Sequence, residues 1–293
     1  MSAGTRPEGL LSLLPPIRRA RLWRLYAQNG RRYLDFWMDD GRDILGAKGS
    51  SLGTVIKAAV DMGVSRPLPS HWRARLEKQV DEHWPGYSVQ RFFLNEERAR
   101  AALGGALGTG AAQAADLVLD PARPGAADPA RTAERCAILR PFGSFLDPDG
   151  RLGGSAGTAL VRLPCSRMFA PSILLIRDAG TGEGLADDLI PPLMLAVGSR
   201  SLRELRRMAG SYGESLWSRL DRRLGPFFIR RGPYLYPRHG PAAHEAAFRA
   251  ALEAGALLSP RWELPSLVPG DFDDGEIARL AAALQTAVGA RIQ

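Results

Sequence analysis

The sequence predicts an α/β protein, on three observations: a hairpin signal at Asn29-Gly30, a strand, helix, strand, helix order as far as residue 110, and short apolar runs bounded by Gly and Pro in the middle. The stretch RLWRLYAQNGRRYLDFW alternates on both sides of Asn29-Gly30, with Tyr33, Asp35 and Trp37 on one face and Leu34 and Phe36 on the other. Asn-Gly suits a type I′ turn because both of its central residues take positive φ. A helix follows in SLGTVIKAAVDMG, where Leu52, Val55, Ile56 and Ala59 fall at helical spacing and Gly63 suits a C-cap. SHWRARLEKQVDEHWPG opens at Ser70, sets Trp72, Leu76 and Val80 along one side and stops before Pro85, a second helix. SVQRFFL reads as a buried strand and NEERARAALGGALGTG (95–110) as a helix weakened by its glycines.

Residues 120–135, DPARPGAADPARTAER, have the composition of a surface loop or linker. CAILRPFGSFL, TALVRLP and PSILLIRDAG read as strands. Ser201 and Glu204 form a capping-box pattern, which predicts a helix starting there with Leu202, Leu205 and Met208 on one face. GESLWSRLDRRLG keeps helical period through Leu216, Leu220 and Leu224. From about residue 226 come strand-like FFIRRGPYLY, a helix from Pro241 to Gly255, a loop, and a last helix capped by Asp273 or Asp274 with Ile277, Leu280, Ala281, Leu284 and Val288 on one side. No internal repeat is present.

Composition bounds the function. A chain of 293 residues, 45% apolar, can bury a substantial core. Cys136 and Cys165 allow one bridge at most and match no metal spacing, which fits a reducing, cytoplasmic location. The first residues lack the ordered zones of a signal peptide, and LIPPLMLAV (189–197) is too short and Pro-rich to span a bilayer. The net charge is +8, and only three of the 39 basic residues are lysines: Lys48, Lys57 and Lys78. Arginines spread over the chain favour loose contact with polyanions, but no recognition motif accompanies them, so specific nucleic-acid binding is not expected.

The motifs that carry chemistry elsewhere are incomplete. GGALGTG, GGSAGT and GTGEG have neither a GK[ST] ending nor a full G-x-G-x-x-G. His71, His83, His239 and His244 give no metal spacing, and HEAAF lacks a second histidine. Ser166 and Cys165 are not in a G-x-S-x-G elbow. The aspartate pairs 39/40, 187/188 and 273/274 read as caps and loops.

NGRRYLDFWMDDGRDILGAKGSSLGTVIKAAVDMG resembles the N-terminal segment of class III aminotransferases, the group that includes glutamate-1-semialdehyde aminomutase; Asn29, Gly30, Tyr33, Asp35, Leu45, Gly46, Val55 and Ala58 keep that family's order. AAFRAALEAGALLSPRWELPSLVPGDFDDGEIARLAAAL is similar to its C-terminal domain. The resemblance covers roughly the first 110 and the last 80 residues, and since members are longer it implies that much of the middle is absent or reduced. The implied fold is a reduced fold-type I pyridoxal-phosphate-transferase large domain at 70–212, with an α+β small domain built from 1–69 and 213–293. In that family the site lies between domains and at a dimer interface.

The chemistry implied by the resemblance needs a lysine for the Schiff base, an acid on the pyridine nitrogen, an aromatic ring to stack and backbone amides at a helix start for the phosphate. Family members carry that lysine well past the middle; here none follows Lys78, and Lys48, Lys57 and Lys78 read as solvated surface residues. FFLNEERARA keeps Asn95 of the phosphate-binding pattern but puts Glu96, Glu97 and Arg98 where the family has small residues, and carboxylates there repel phosphate. The family's Asp-Glu strand end and Tyr-His-Gly loop have no match. The sequence therefore predicts a shortened, degenerate member, a binding or partner protein without transaminase activity, with no catalytic or metal-ligating residue assigned. The resemblance allows pyridoxal phosphate, although no cofactor is expected from the residues, and it allows a homodimer or a heteromer with an authentic transaminase. Two alternatives stay open: a pyridoxal-phosphate enzyme of transaminase or aminomutase type with atypical cofactor binding, and a basic polyanion-binding protein.

Overall fold

The computed structural model describes residues 9–47, 51–106, 118–123, 136–146, 157–182 and 184–289. The chain folds as two compact units, Met1–Gly49 with Gly210–Gln293, and Ser50–Ala209.

In the first unit β1 (Ile17–Arg21), β2 (Arg24–Ala27) and β3 (Arg32–Asp35) form an antiparallel meander. The β2–β3 turn differs from type I′. Gly30 N donates to Ala27 O and Ala27 N to Arg31 O, and of the two central residues Gly30 alone has positive φ, 82°. A three-residue loop of this kind needs one left-handed position, which the glycine supplies, while Asn29 Oδ1 accepts from Arg31 N. After β3 the backbone makes a left-handed turn, with φ of 48°, 48°, 58° and 87° at Met38, Asp39, Asp40 and Gly41. Such a run costs roughly 1–2 kcal/mol per non-glycine residue. It is held by Asp35 Oδ1, which accepts from Trp37 N and Met38 N at 2.9 Å each, and by Asp40, which accepts from Trp37 Nε1 and pairs with Arg261.

FFIRRGPYLY is two strands, Phe228–Arg231 and Tyr234–Pro237, with a turn at Gly232-Pro233, because Gly232 takes φ 54° and the chain reverses there. GESLWSRLDRRLG is broken into Glu214–Trp217, a 3-10 turn Ser218–Leu220 and Asp221–Leu224. Helix His244–Glu253 ends at Gly255 with φ 82°, and the chain then enters a strand, Ala256–Leu257, that pairs in parallel with β3. The last helix, Asp274–Val288, packs on His244–Glu253. It opens with a capping box of Asp273 and Glu276 and buries Ile277, Leu280, Leu284 and Val288.

The second unit holds α1 (Leu52–Asp61), α2 (Trp72–His83), β4 (Val89–Phe93), α3 (Glu96–Ala106), β5 (Val118–Leu119), β6 (Cys136–Leu139), β7 (Thr158–Val161), β8 (Ser172–Ile176) and α4 (Pro192–Ala209). The sheet runs β4-β8-β7-β6-β5; β5, β6 and β7 are parallel, and β8 is antiparallel to both β7 and β4. Strands β4 to β7 therefore point the same way. Their near-continuous apolar runs match a sheet covered on both faces: Phe92, Ala159, Val161, Ile173 and Leu175 join Leu76, Val80, Leu195 and Leu202 of α2 and α4, while Leu160, Leu174 and Ile176 join Ala99 and Leu103 of α3.

α1 ends as its sequence predicts, with Gly63 at φ 70°, Gly63 N donating to Val60 O and Val64 N to Ala59 O. α4 does not start at Ser201. Pro192 opens it, preorganised for a first helical turn, and Ser201 sits fully buried mid-helix with its hydroxyl donating to Gly198 O at 2.8 Å. Glu204 pairs instead with Arg200 at 2.8 Å and accepts from Ser51 Oγ. Of the expected 120–135 loop, 124–135 lie outside the described residues, and Asp120 is buried rather than exposed.

Candidate functional site

Open parallel sheets take ligands at the carboxyl ends of their strands. In the second unit the first residues after β5, β6 and β7 are Asp120, Arg140 and Arg162. The side chains of Arg140 and Asp120 are 2% and 6% exposed, and the guanidinium grips the carboxylate in a fork, Nε to Oδ1 at 2.8 Å and Nη2 to Oδ2 at 2.5 Å. Asp120 Oδ1 also accepts from Ala122 N at 3.1 Å, and Arg162 Nη1 lies 3.6 Å from Oδ2. The arginines hold the Asp120 carboxyl below its usual range against the opposing effect of burial, the largest single influence on it. The space beside them, lined by Glu96, Ile138, Leu160, Val161, Arg162 and Ser172, is too narrow for a water molecule.

Next to this edge, Asn95 caps α3, its Oδ1 accepting from Arg98 N at 2.9 Å. Glu96 pairs with Arg100 at 2.7 Å, and Arg98 pairs with Asp188 at 2.5 Å. Asp187, the other member of that aspartate pair, meets Arg73 at 2.5 Å. Lys57 and Lys78 are exposed on α1 and α2, and Lys48 lies outside the described residues. Ser166 accepts from Met168 N as a cap, and the Asp178 carboxylate accepts from Gly180 N and Thr181 N at the start of GTGEG. The other two glycine-rich motifs fall largely outside the described residues. Cys136 and Cys165 are buried and form no disulfide, and burial pushes the Cys136 thiol up to about 12. Among the described residues no group of three His, Cys, Asp or Glu could hold a metal, and no helix is long and apolar enough to cross a membrane.

In the first unit, Tyr33, Leu45 and Gly46 of the N-terminal motif serve packing: Tyr33 is buried, and a Cβ on Gly46 would meet Leu22 and Trp23 at 3.2 Å. The histidines at 239 and 244 form a pair that their spacing did not announce. Both are buried and their rings stack at 5.6 Å. His244 Nε2 lies 3.0 Å from Ser259 O, so Nε2 carries the proton and Nδ1 the lone pair; His239 Nε2, 3.3 Å from that lone pair, must donate to it. His239 Nδ1 is left as a buried lone pair without a donor among the described residues. Burial, and then His244, lower the His239 pKa to about 4.

With this geometry in place, the likeness to known proteins is informative. The structure superposes on an omega-transaminase from Sphaerobacter thermophilus with TM-score 0.69 at 13% identity, covering 93% of this chain and 91% of that one. It also superposes on the Plasmodium yoelii ornithine aminotransferase, TM-score 0.69 at 11% identity over 99% and 96% of the chains. The chain has the aminotransferase fold. The likeness runs through the middle of the chain, beyond the two ends where the sequence resembles that fold. A transaminase solved with pyridoxal phosphate bound matches with TM-score 0.68 at 15% identity over 100% of this chain and 95% of that one. In sequence, the chain is 27% identical over 276 residues to an uncharacterised protein of Treponema pallidum, covering 86% of this chain and 88% of the relative. It is 22% identical over 278 residues to one of Borreliella burgdorferi, covering 92% and 89%. No family model matches the sequence.

Proposed function

We propose that this aminotransferase-like chain has no transaminase activity and works as a binding or partner protein. The observation that carries the reading is the carboxyl edge of the sheet, where Arg140 and Asp120 satisfy each other and no lysine follows Lys78. A Schiff base needs a primary amine at that edge, and an arginine cannot replace it because its guanidinium stays protonated. The helix start beside it is a poor phosphate cradle: Asn95 caps one amide and Glu96 and Glu97 add negative charge. The residues present do not fit pyridoxal phosphate. A shared fold leaves the chemistry to be decided by the site.

The partner we favour is a second copy of the chain. Leu94, Phe145 and Met168, which follow β4, β6 and β7, are exposed apolar residues at that edge. The two buried thiols suit a reducing compartment such as the cytoplasm. Exposed Arg18, Arg19 and Arg21 on β1 favour loose polyanion contact as a secondary property, readable as a steep fall of affinity with salt. The main reading is tested by adding pyridoxal phosphate and amino donors to the purified protein. No shifted cofactor absorbance and no keto acid are expected; turnover overturns the proposal. Sedimentation tests the partner: a dimer is expected, and a monomer at all concentrations rejects the self-partner.

A further inference from the structure

We infer that the Asp120–Arg140–Arg162 cluster is an internal clamp that assembles the carboxyl edge of the second unit without any ligand. This deepens the reading above and rests on it. Among the described residues β5 spans Val118–Leu119, and its register pairs with β6 are Val118 with Cys136 and Leu119 with Ala137. What fixes its end is Asp120, whose carboxylate accepts from Ala122 N and whose carbonyl accepts from Arg123 N, while Arg140 reaches back from β6 to both carboxylate oxygens. Arg162 brings in the third strand: its N–H donates to Leu139 O at 2.8 Å and its guanidinium approaches Asp120. The three groups thus join β5, β6 and β7 where an open sheet would otherwise offer a crevice.

Burying these charges is favourable only while they are paired, so the clamp has a signature distinct from that of an exposed ion pair. Loss of one partner strands a charge, whereas replacing both with apolar groups of similar size removes the penalty. Arg140→Met and Asp120→Leu, measured singly and together by thermal unfolding, give the test. Each single change lowers the melting temperature by about 10 °C, and the double variant recovers at least half of that loss. Addition of pyridoxal phosphate or inorganic phosphate leaves the wild-type melting temperature unchanged. Should the single variants fail to fold, hydrogen exchange of the β5 to β7 amides in the wild type decides: protection without ligand supports the clamp, and protection appearing only with pyridoxal phosphate overturns it. Single variants as stable as the wild type also overturn it, and they do so without touching the proposed lack of transaminase activity, which is read from turnover.

Discussion

Acidification should destabilise the first unit through His239. Its ring is 2% exposed and its Nδ1 has no donor, so a proton added there enters a site with no counter-charge in hydrogen-bond reach among the described residues. The group titrates at about 4 in the fold against 6.5 for the free side chain. Because the folded value lies below the unfolded one, the unfolded chain binds the proton first. The contribution is intact above the unfolded pKa and is lost as pH falls from 6.5 towards 4. Between about pH 7.5 and about pH 5.5 linkage gives a loss of about 1 kcal/mol. His239→Gln keeps a donor for His244 Nδ1 and cannot titrate. Urea unfolding of both proteins at the two pH values provides the assay, and the difference between wild type and variant isolates His239 from the carboxylates that titrate nearby. The wild type should lose about 1 kcal/mol more than the variant. Equal losses would refute the assigned tautomer chain and the neutral, buried state of the pair.

Three further outcomes are expected. Asp35 is raised to about 6, chiefly by burial, so its ionisation at neutral pH opposes folding and stability should rise as pH falls through 6 towards 3.8. Asp35→Asn keeps the single oxygen that accepts from Trp37 N and Met38 N, and should stabilise the protein by about 1–3 kcal/mol at neutral pH while flattening that rise, as read by urea unfolding. Glu276 accepts from Arg24 at 2.8 and 3.1 Å, pairs with Arg32 at 3.0 Å and closes the capping box, so Glu276→Ala should cost about 3 kcal/mol by leaving Arg24 poorly compensated in a buried place. A Cβ at Gly270 would lie 2.2 Å from Trp23 Cζ2; Gly270→Ala should cost about 1–3 kcal/mol and alter the near-ultraviolet circular dichroism of the indole.

The parts of the fold legible in the sequence are those written in local chemistry. Gly63 closes α1, Ser70 accepts from Trp72 N at the start of α2, and Asp273 with Glu276 opens the last helix, each within a few residues of the feature it signals. Ser201 misled because a capping-box pattern is also what a mid-helix serine with a glutamate one turn later looks like, and only the preceding Pro192 with its buried neighbours decides between them. The left-handed turn at Met38–Gly41 carries no glycine before Gly41, and it is held by Arg261, more than 200 residues away. Of the candidate site, the sequence makes plain only the positions of the lysines, Lys48, Lys57 and Lys78. Its contents were not legible, because Asp120, Arg140 and Arg162 meet only once three strands are ordered side by side, a matter of tertiary pairing. The same holds for His239 and His244, whose five-residue separation spans the end of a strand and the start of a helix rather than one helical face.

The central claim, an aminotransferase fold without a Schiff-base lysine, is tested most directly by borohydride reduction of the full chain after incubation with pyridoxal phosphate, followed by intact mass and peptide mapping. The account predicts no stoichiometric adduct, with at most scattered labelling of exposed Lys57 and Lys78 that rises with reagent. A single saturable adduct on one lysine, formed at one equivalent of cofactor, would contradict it.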